Sequence, residues 1–149
     1  MHRRAFLAGG TTLSVGVLAG CIGPSVSKSD YDIGMVSNGF VPQEPVEGED
    51  MATHQLTAGD TVTWANTGSR NHTVTAYGSG LPEGASYFAS GGFDTEPDAR
   101  RAWQDNVEGG GNISPGATYE VTLTVPGEYY YFCIPHEGAG MRGKLVVDD

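Results

Sequence analysis

Along much of the chain apolar residues return at every second position. In DTVTWAN (60–66) Val62 and Trp64 fall on one face and Thr61 and Thr63 on the other; in ATYEVTLTVPG (117–127) Tyr119, Val121, Leu123 and Val125 alternate with polar neighbours. A period of two over five or more residues predicts strands with one buried face. HTVTAY (72–77), EYYYFCI (128–134) and GKLVV (143–147) read as further strands, and YDIGMV (31–36) and HQLTA (54–58) show shorter versions of the pattern. Gly59-Asp60 and Pro126-Gly127 punctuate them as turns. Some seven short strands in about 120 residues predict an all-β domain over 31–149, a two-sheet sandwich or closed Greek-key barrel.

Two stretches break this rhythm. From Gly78 to Gly116 the chain is glycine-rich and acidic, a surface excursion with one short helix predicted in TEPDARRAWQDN (95–106), where Thr95 caps and Pro97 sits in the first turn. At the other break, Arg3 and Arg4 precede a weakly apolar run, Ala5 to Gly20, too short to span a hydrocarbon core of about 30 Å. Residues 1–20 read as a twin-arginine export signal, and Leu18-Ala19-Gly20-Cys21 resembles a lipobox, which makes Cys21 a lipid attachment site. Residues 22–30, with three serines and a proline, then form a tether. These signals predict a chain anchored by lipid to the outer face of the cell membrane, and the protein is expected as a monomer.

Charge narrows the class of partner. Eighteen acidic against eight basic residues give a net charge of −10, and loss of Arg3 and Arg4 with a signal leaves six basic residues and −12. Such a balance speaks against nucleic acid. It fits a surface hydrated by carboxylates, as in halophiles, or an acidic docking face.

If Cys21 carries lipid, Cys133 is the one thiol left in an exported domain, where it must be buried, bound or catalytic. It closes an aromatic strand; His136 follows three residues later and Met141 five after that, all in one loop before the last predicted strand. His72 begins another strand and is placed to reach the same pole. Each alone has an ordinary reading: Cys-x-x-His as part of a zinc site, His72 as a surface residue, Met141 as core packing. Together, a thiolate, two imidazoles and a thioether form the His₂Cys set with weak axial methionine of electron-transfer copper. His54 gains no such support. An oxidase would need further histidine-rich centres or a second cysteine nearby, so the reading is a non-enzymatic one, with copper storage or delivery as the rival and a metal-free adhesive sandwich as the third.

GEYYYFCIPHEGAGMRGKLVV (127–147) resembles the copper loop of plastocyanin, and the exported, lipidated, acidic context is similar to the halocyanins of halophilic archaea. The resemblance implies a cupredoxin fold, one type 1 copper ion held by His72, Cys133, His136 and Met141, and one-electron traffic with membrane-bound donor and acceptor proteins. It implies that the edge of His136 is the electron port, within an apolar patch of Pro135, Gly138, Ala139 and Gly140. Two positions depart from the family pattern. Thr73 stands where many relatives have an asparagine that ties the ligand loops together, and Phe132 stands where photosynthetic plastocyanins have a tyrosine at a lateral docking face.

Overall fold

The computed structural model describes residues 26–42 and 51–149, so the signal segment and Cys21 lie outside the described residues. The described chain opens with a 3-10 turn at Lys28–Asp30 and then builds β1 (Ile33–Val36), β2 (Gly39–Val41), β3 (Ala52–Thr57), β4 (Thr61–Asn66) and β5 (Thr75–Ala76). The helix α1 (Glu96–Asp105) follows, and β6 (Thr118–Thr122), β7 (Gly127–Phe132) and β8 (Arg142–Asp148) complete the fold. Two four-stranded sheets result, ordered β2-β1-β4-β6 and β3-β8-β7-β5. Each is mixed: β1 runs parallel to β4 and β3 parallel to β8, while the other pairs are antiparallel. The expected sandwich is therefore present, with an additional strand, β2, that the alternation did not mark.

Alternation dictates what lies between the sheets. Val62 and Trp64 of β4 are buried as expected, and Trp64 meets Tyr131 of β7 edge-on at 5.2 Å across the gap. Phe40 of β2 packs against the same Tyr131 ring at 4.7 Å. Aromatic pairs in this geometry add about 0.5–1.5 kcal/mol each beyond their buried area. Gly143 of β8 must remain glycine here, because a Cβ at that position would collide with the Tyr131 ring. Tyr119 and Val121 point inward but are only half-buried, since β6 is an edge strand.

The segment expected to be a six-residue strand at His72 pairs regularly only at Thr75 and Ala76. Its earlier backbone donors go elsewhere: Thr73 N–H to Cys133 Sγ at 3.4 Å and Val74 N–H to Ser90 Oγ at 3.1 Å. The expected surface excursion also needs correcting. Phe88, Ala89, Ser90 and Ile113 are buried, and Ser90 N–H and Phe88 C=O pair with Val74 and Ala76 along the flank of β5. The helix within the excursion forms as predicted, with Thr95 Oγ1 accepting the Asp98 N–H at 3.3 Å and Pro97 in the first turn.

Candidate metal centre

Cys133 follows the last residue of β7, and the chain turns at once into a 3-10 segment, Ile134–Ala139, that carries His136. Gly140 at φ +89° takes the left-handed conformation that reverses the backbone, and Met141 leads into β8. The loop closes on itself: Cys133 N–H donates to Met141 C=O at 3.0 Å, and Met141 N–H to His136 C=O at 3.2 Å. His72 arrives from the neighbouring loop. Its carbonyl accepts the Ile113 N–H at 2.8 Å, and buried Asn66 donates to both Arg70 C=O at 2.6 Å and Ile113 C=O at 2.8 Å, fastening that loop.

His72, Cys133 and His136 thereby bring three donor atoms within 4.8 Å of one another. Cys133 Sγ lies 3.6 Å from His72 Nδ1 and 3.5 Å from His136 Nδ1. Nitrogen and sulfur ligands at about 2.0 and 2.3 Å from one ion, subtending a tetrahedral angle, would lie about 3.5 Å apart. The donor set therefore fits a metal of that size, and buried Met141, held to Cys133 through the backbone, supplies a thioether beside it. His54 sits on β3 opposite Leu145 and does not join the three.

Burial decides the resting chemistry. His72 and Cys133 are 0% exposed, and of the four only His136 is partly open to solvent. Desolvation drives His72 down from 6.5 to about 4, helped by the charges of His136 and Arg70, and lowers His136 as well. Desolvation pushes the Cys133 thiol up to about 11 against the lowering effect of the Thr73 and His136 hydrogen bonds. Both imidazoles are thus neutral and able to donate a lone pair at neutral pH. A thiolate here requires a cation as compensation. His72 Nε2 is buried without a hydrogen-bond partner, so packing and the bridge to Ile113 orient the ring.

Thr73 performs the tie that asparagine makes in relatives. Its hydroxyl accepts the Ile134 N–H at 2.8 Å while its own N–H points at Cys133 Sγ, so one residue joins both ligand loops. Phe132 is buried under Tyr77, whose ring lies 4.4 Å away, and under the Arg100 guanidinium, 4.2 Å from the Phe132 centroid. Arg100 is a residue that the sequence did not point to. From α1 it grips Glu137 with two nitrogens at 3.2 and 2.9 Å and Glu96 with Nε at 2.9 Å, while Tyr77 donates to Glu137 Oε2 at 2.9 Å. The excursion therefore braces the residue next to His136.

A family model of copper-binding proteins, the plastocyanin/azurin family, matches residues 50–148. The chain is 30% identical over 142 residues to the chloroplastic plastocyanin of Oryza sativa subsp. indica, covering 91% of this chain and 79% of that one. It is 30% identical over 146 residues to that of Chlamydomonas reinhardtii, covering 98% and 82%. Among solved structures, amicyanin from Paracoccus versutus shares the fold at a TM-score of 0.51 and 23% identity, over 83% of this chain and 85% of its own. With His72, Cys133, His136 and Met141 gathered into a type 1 copper-like site, the chain belongs to the plastocyanin/azurin family of copper-binding proteins.

Proposed function

We propose that the protein is a one-electron carrier of the halocyanin type, monomeric, lipid-anchored through Cys21 at the outer face of the cell membrane and working between membrane redox complexes. The carrying observation is the pairing of buried donors with a single partly open one: Cys133 Sγ lies 3.5 Å from His136 Nδ1, and His136 alone of the four reaches solvent. Bound copper supplies the Cu(II)/Cu(I) couple, for which thiolate, thioether and imidazole are a compromise set. His72, Cys133 and Met141 hold it away from water. Backbone hydrogen bonds within the loop resist movement on a change of charge, and His136 offers a ring edge between exposed Pro135 and Ala139 as the electron's way in and out.

The absorption spectrum of the copper-loaded oxidised protein tests the reading, together with voltammetry. An intense blue thiolate-to-copper band and a reversible one-electron wave are expected. Rapid loss of copper to a chelator with no reversible wave would instead make the protein a store or delivery vehicle. Location is tested separately: Arg3→Lys with Arg4→Lys should retain the precursor inside the cell, and mass spectrometry of the membrane fraction should find lipid on Cys21. An unmodified Cys21 on membrane-bound protein would refute the anchor.

A further inference from the structure

Among the described residues the charges are not evenly spread. Acidic side chains occupy the end of the sandwich away from the metal centre, with Asp60 in the turn before β4, Glu128 at the start of β7 and Asp148 at the end of β8. At the metal end the loops that carry the ligands also bring arginines. Arg70 and Arg142 are exposed there and form no ion pair among the described residues. Glu137 beside His136 shares Arg100 with Glu96, which leaves that cluster a single negative charge against the two exposed arginines.

Both free arginines stand on fixed backbone. Asn66 holds the Arg70 carbonyl at 2.6 Å, and Arg142 pairs with Phe132 in the β7–β8 ladder while donating its N–H to Gly140 C=O at 2.9 Å. Arg70 stands in the loop after β4, two residues before His72, and Arg142 directly follows Met141 at the start of β8, so the two reach the metal pole from different strands. Two exposed cations brought to one pole by different strands, on a protein otherwise anionic, create a dipole that turns this pole toward negative charge.

We propose that the metal pole docks onto a redox protein whose contact face carries carboxylates around its electron-exchange site, with Arg70 and Arg142 pairing them on either side of His136. This rests on the electron-carrier reading above. Arginine suits the task because its planar fork matches a carboxylate with two parallel hydrogen bonds. An anionic lipid surface offers related chemistry but fits worse. The exposed residues of the ligand loop are Pro135, Gly138, Ala139 and Gly140, and the large exposed hydrophobic among the described residues is Val107, in the excursion. The pole thus has no bulky apolar side chain to insert into a bilayer.

The test titrates the copper-loaded, reduced protein, which is diamagnetic, with hexaglutamate peptide and separately with phosphatidylglycerol vesicles at low ionic strength, following amide NMR signals. Hexaglutamate should shift residues 69–72 and 139–143. Its affinity should fall at least about fivefold in Arg70→Gln/Arg142→Gln, as two exposed ion pairs allow, and recover largely in Arg70→Lys/Arg142→Lys. Unchanged affinity in the glutamine variant, no binding, or shifts elsewhere would overturn the proposal. So would vesicle binding at the pole in preference to the peptide, which would make the surface a membrane contact. The blue band and reversible wave, recorded on the same samples, separate the two readings: their absence from the wild type would remove the carrier function, whereas their presence with a failed peptide titration would remove the docking surface alone.

Discussion

Thr73→Val isolates one oxygen atom between the two ligand loops. In the folded protein the Thr73 hydroxyl accepts the Ile134 N–H at 2.8 Å and shares a 3.1 Å hydrogen bond with Thr75 Oγ1, with both threonines buried. Valine has nearly the same shape, so packing is retained while the Ile134 donor loses its acceptor. A buried donor left unsatisfied costs about 1–3 kcal/mol, and the half-buried Ile134 places the expected loss near the middle, about 2 kcal/mol. The backbone N–H of residue 73 still reaches Cys133 Sγ, so the sulfur's own hydrogen bond survives. For a urea m-value of about 2 kcal/mol/M this loss moves the apoprotein midpoint down by about 1 M. Urea titration followed by tryptophan fluorescence measures it, with Thr73→Ser as the control that keeps the oxygen and loses one methyl, about 0.8 kcal/mol. A valine variant within about 0.3 M of wild type, or a serine variant as damaged as valine, would refute the tie.

Three further outcomes are expected. Cys133→Ser abolishes the blue band, whereas Met141→Gln keeps a coloured site at a lower potential because a soft ligand gives way to a harder oxygen; a blue Cys133→Ser protein would contradict the ligand assignment. In the apoprotein, His72 is lowered from 6.5 to about 4, so its contribution is present above pH 6.5 and is lost as pH falls toward 4, where the unfolded chain takes up the proton first. That loss is about 3 kcal/mol, measured by urea titrations at pH 7 and 4, and it should vanish from the difference in His72→Gln. Gly143→Ala drives a methyl into Tyr131, whose ring is pinned between Phe40 and Trp64, and should cost about 1–3 kcal/mol; an unchanged melting temperature would show that the ring yields.

The strands legible in the sequence were those long enough to repeat. β4 and β7, six residues each, alternate through Val62 and Trp64 and through Tyr129 and Tyr131 before both faces become buried at their ends. β2 spans only Gly39–Val41 and buries Phe40 alone, so it contains no period to detect. Tyr119 and Val121 were placed on the correct face, but the edge position of β6, which leaves them half-exposed, depends on neighbours distant in the chain. The excursion was misjudged for a related reason. Phe88 and Ala89 enter the core together with Ser90 as one short run and Ile113 alone, recruited by Val74 and His72, and insertions this short leave no repeating signature.

The metal centre divides along the same line between local and distant information. Cys133, His136 and Met141 were legible because one tight loop fixes their spacing, and His72 because that set lacks its second imidazole. What surrounds them was not. Arg100 meets Glu137 only because α1 folds back onto β5 and the ligand loop, and Thr73 meets Ile134 only because two loops converge. Composition misleads here in a specific way, since it adds charges without regard to place. A total of −10 fits a surface hydrated by carboxylates or an acidic face for a basic partner, and says nothing of where the charges stand. Yet beside the partly open imidazole Glu137 and Glu96 share Arg100, and the exposed arginines at that pole, Arg70 and Arg142, outweigh the one negative charge left over. With electron exchange at that pole, as proposed, the sign that selects a partner is the local one.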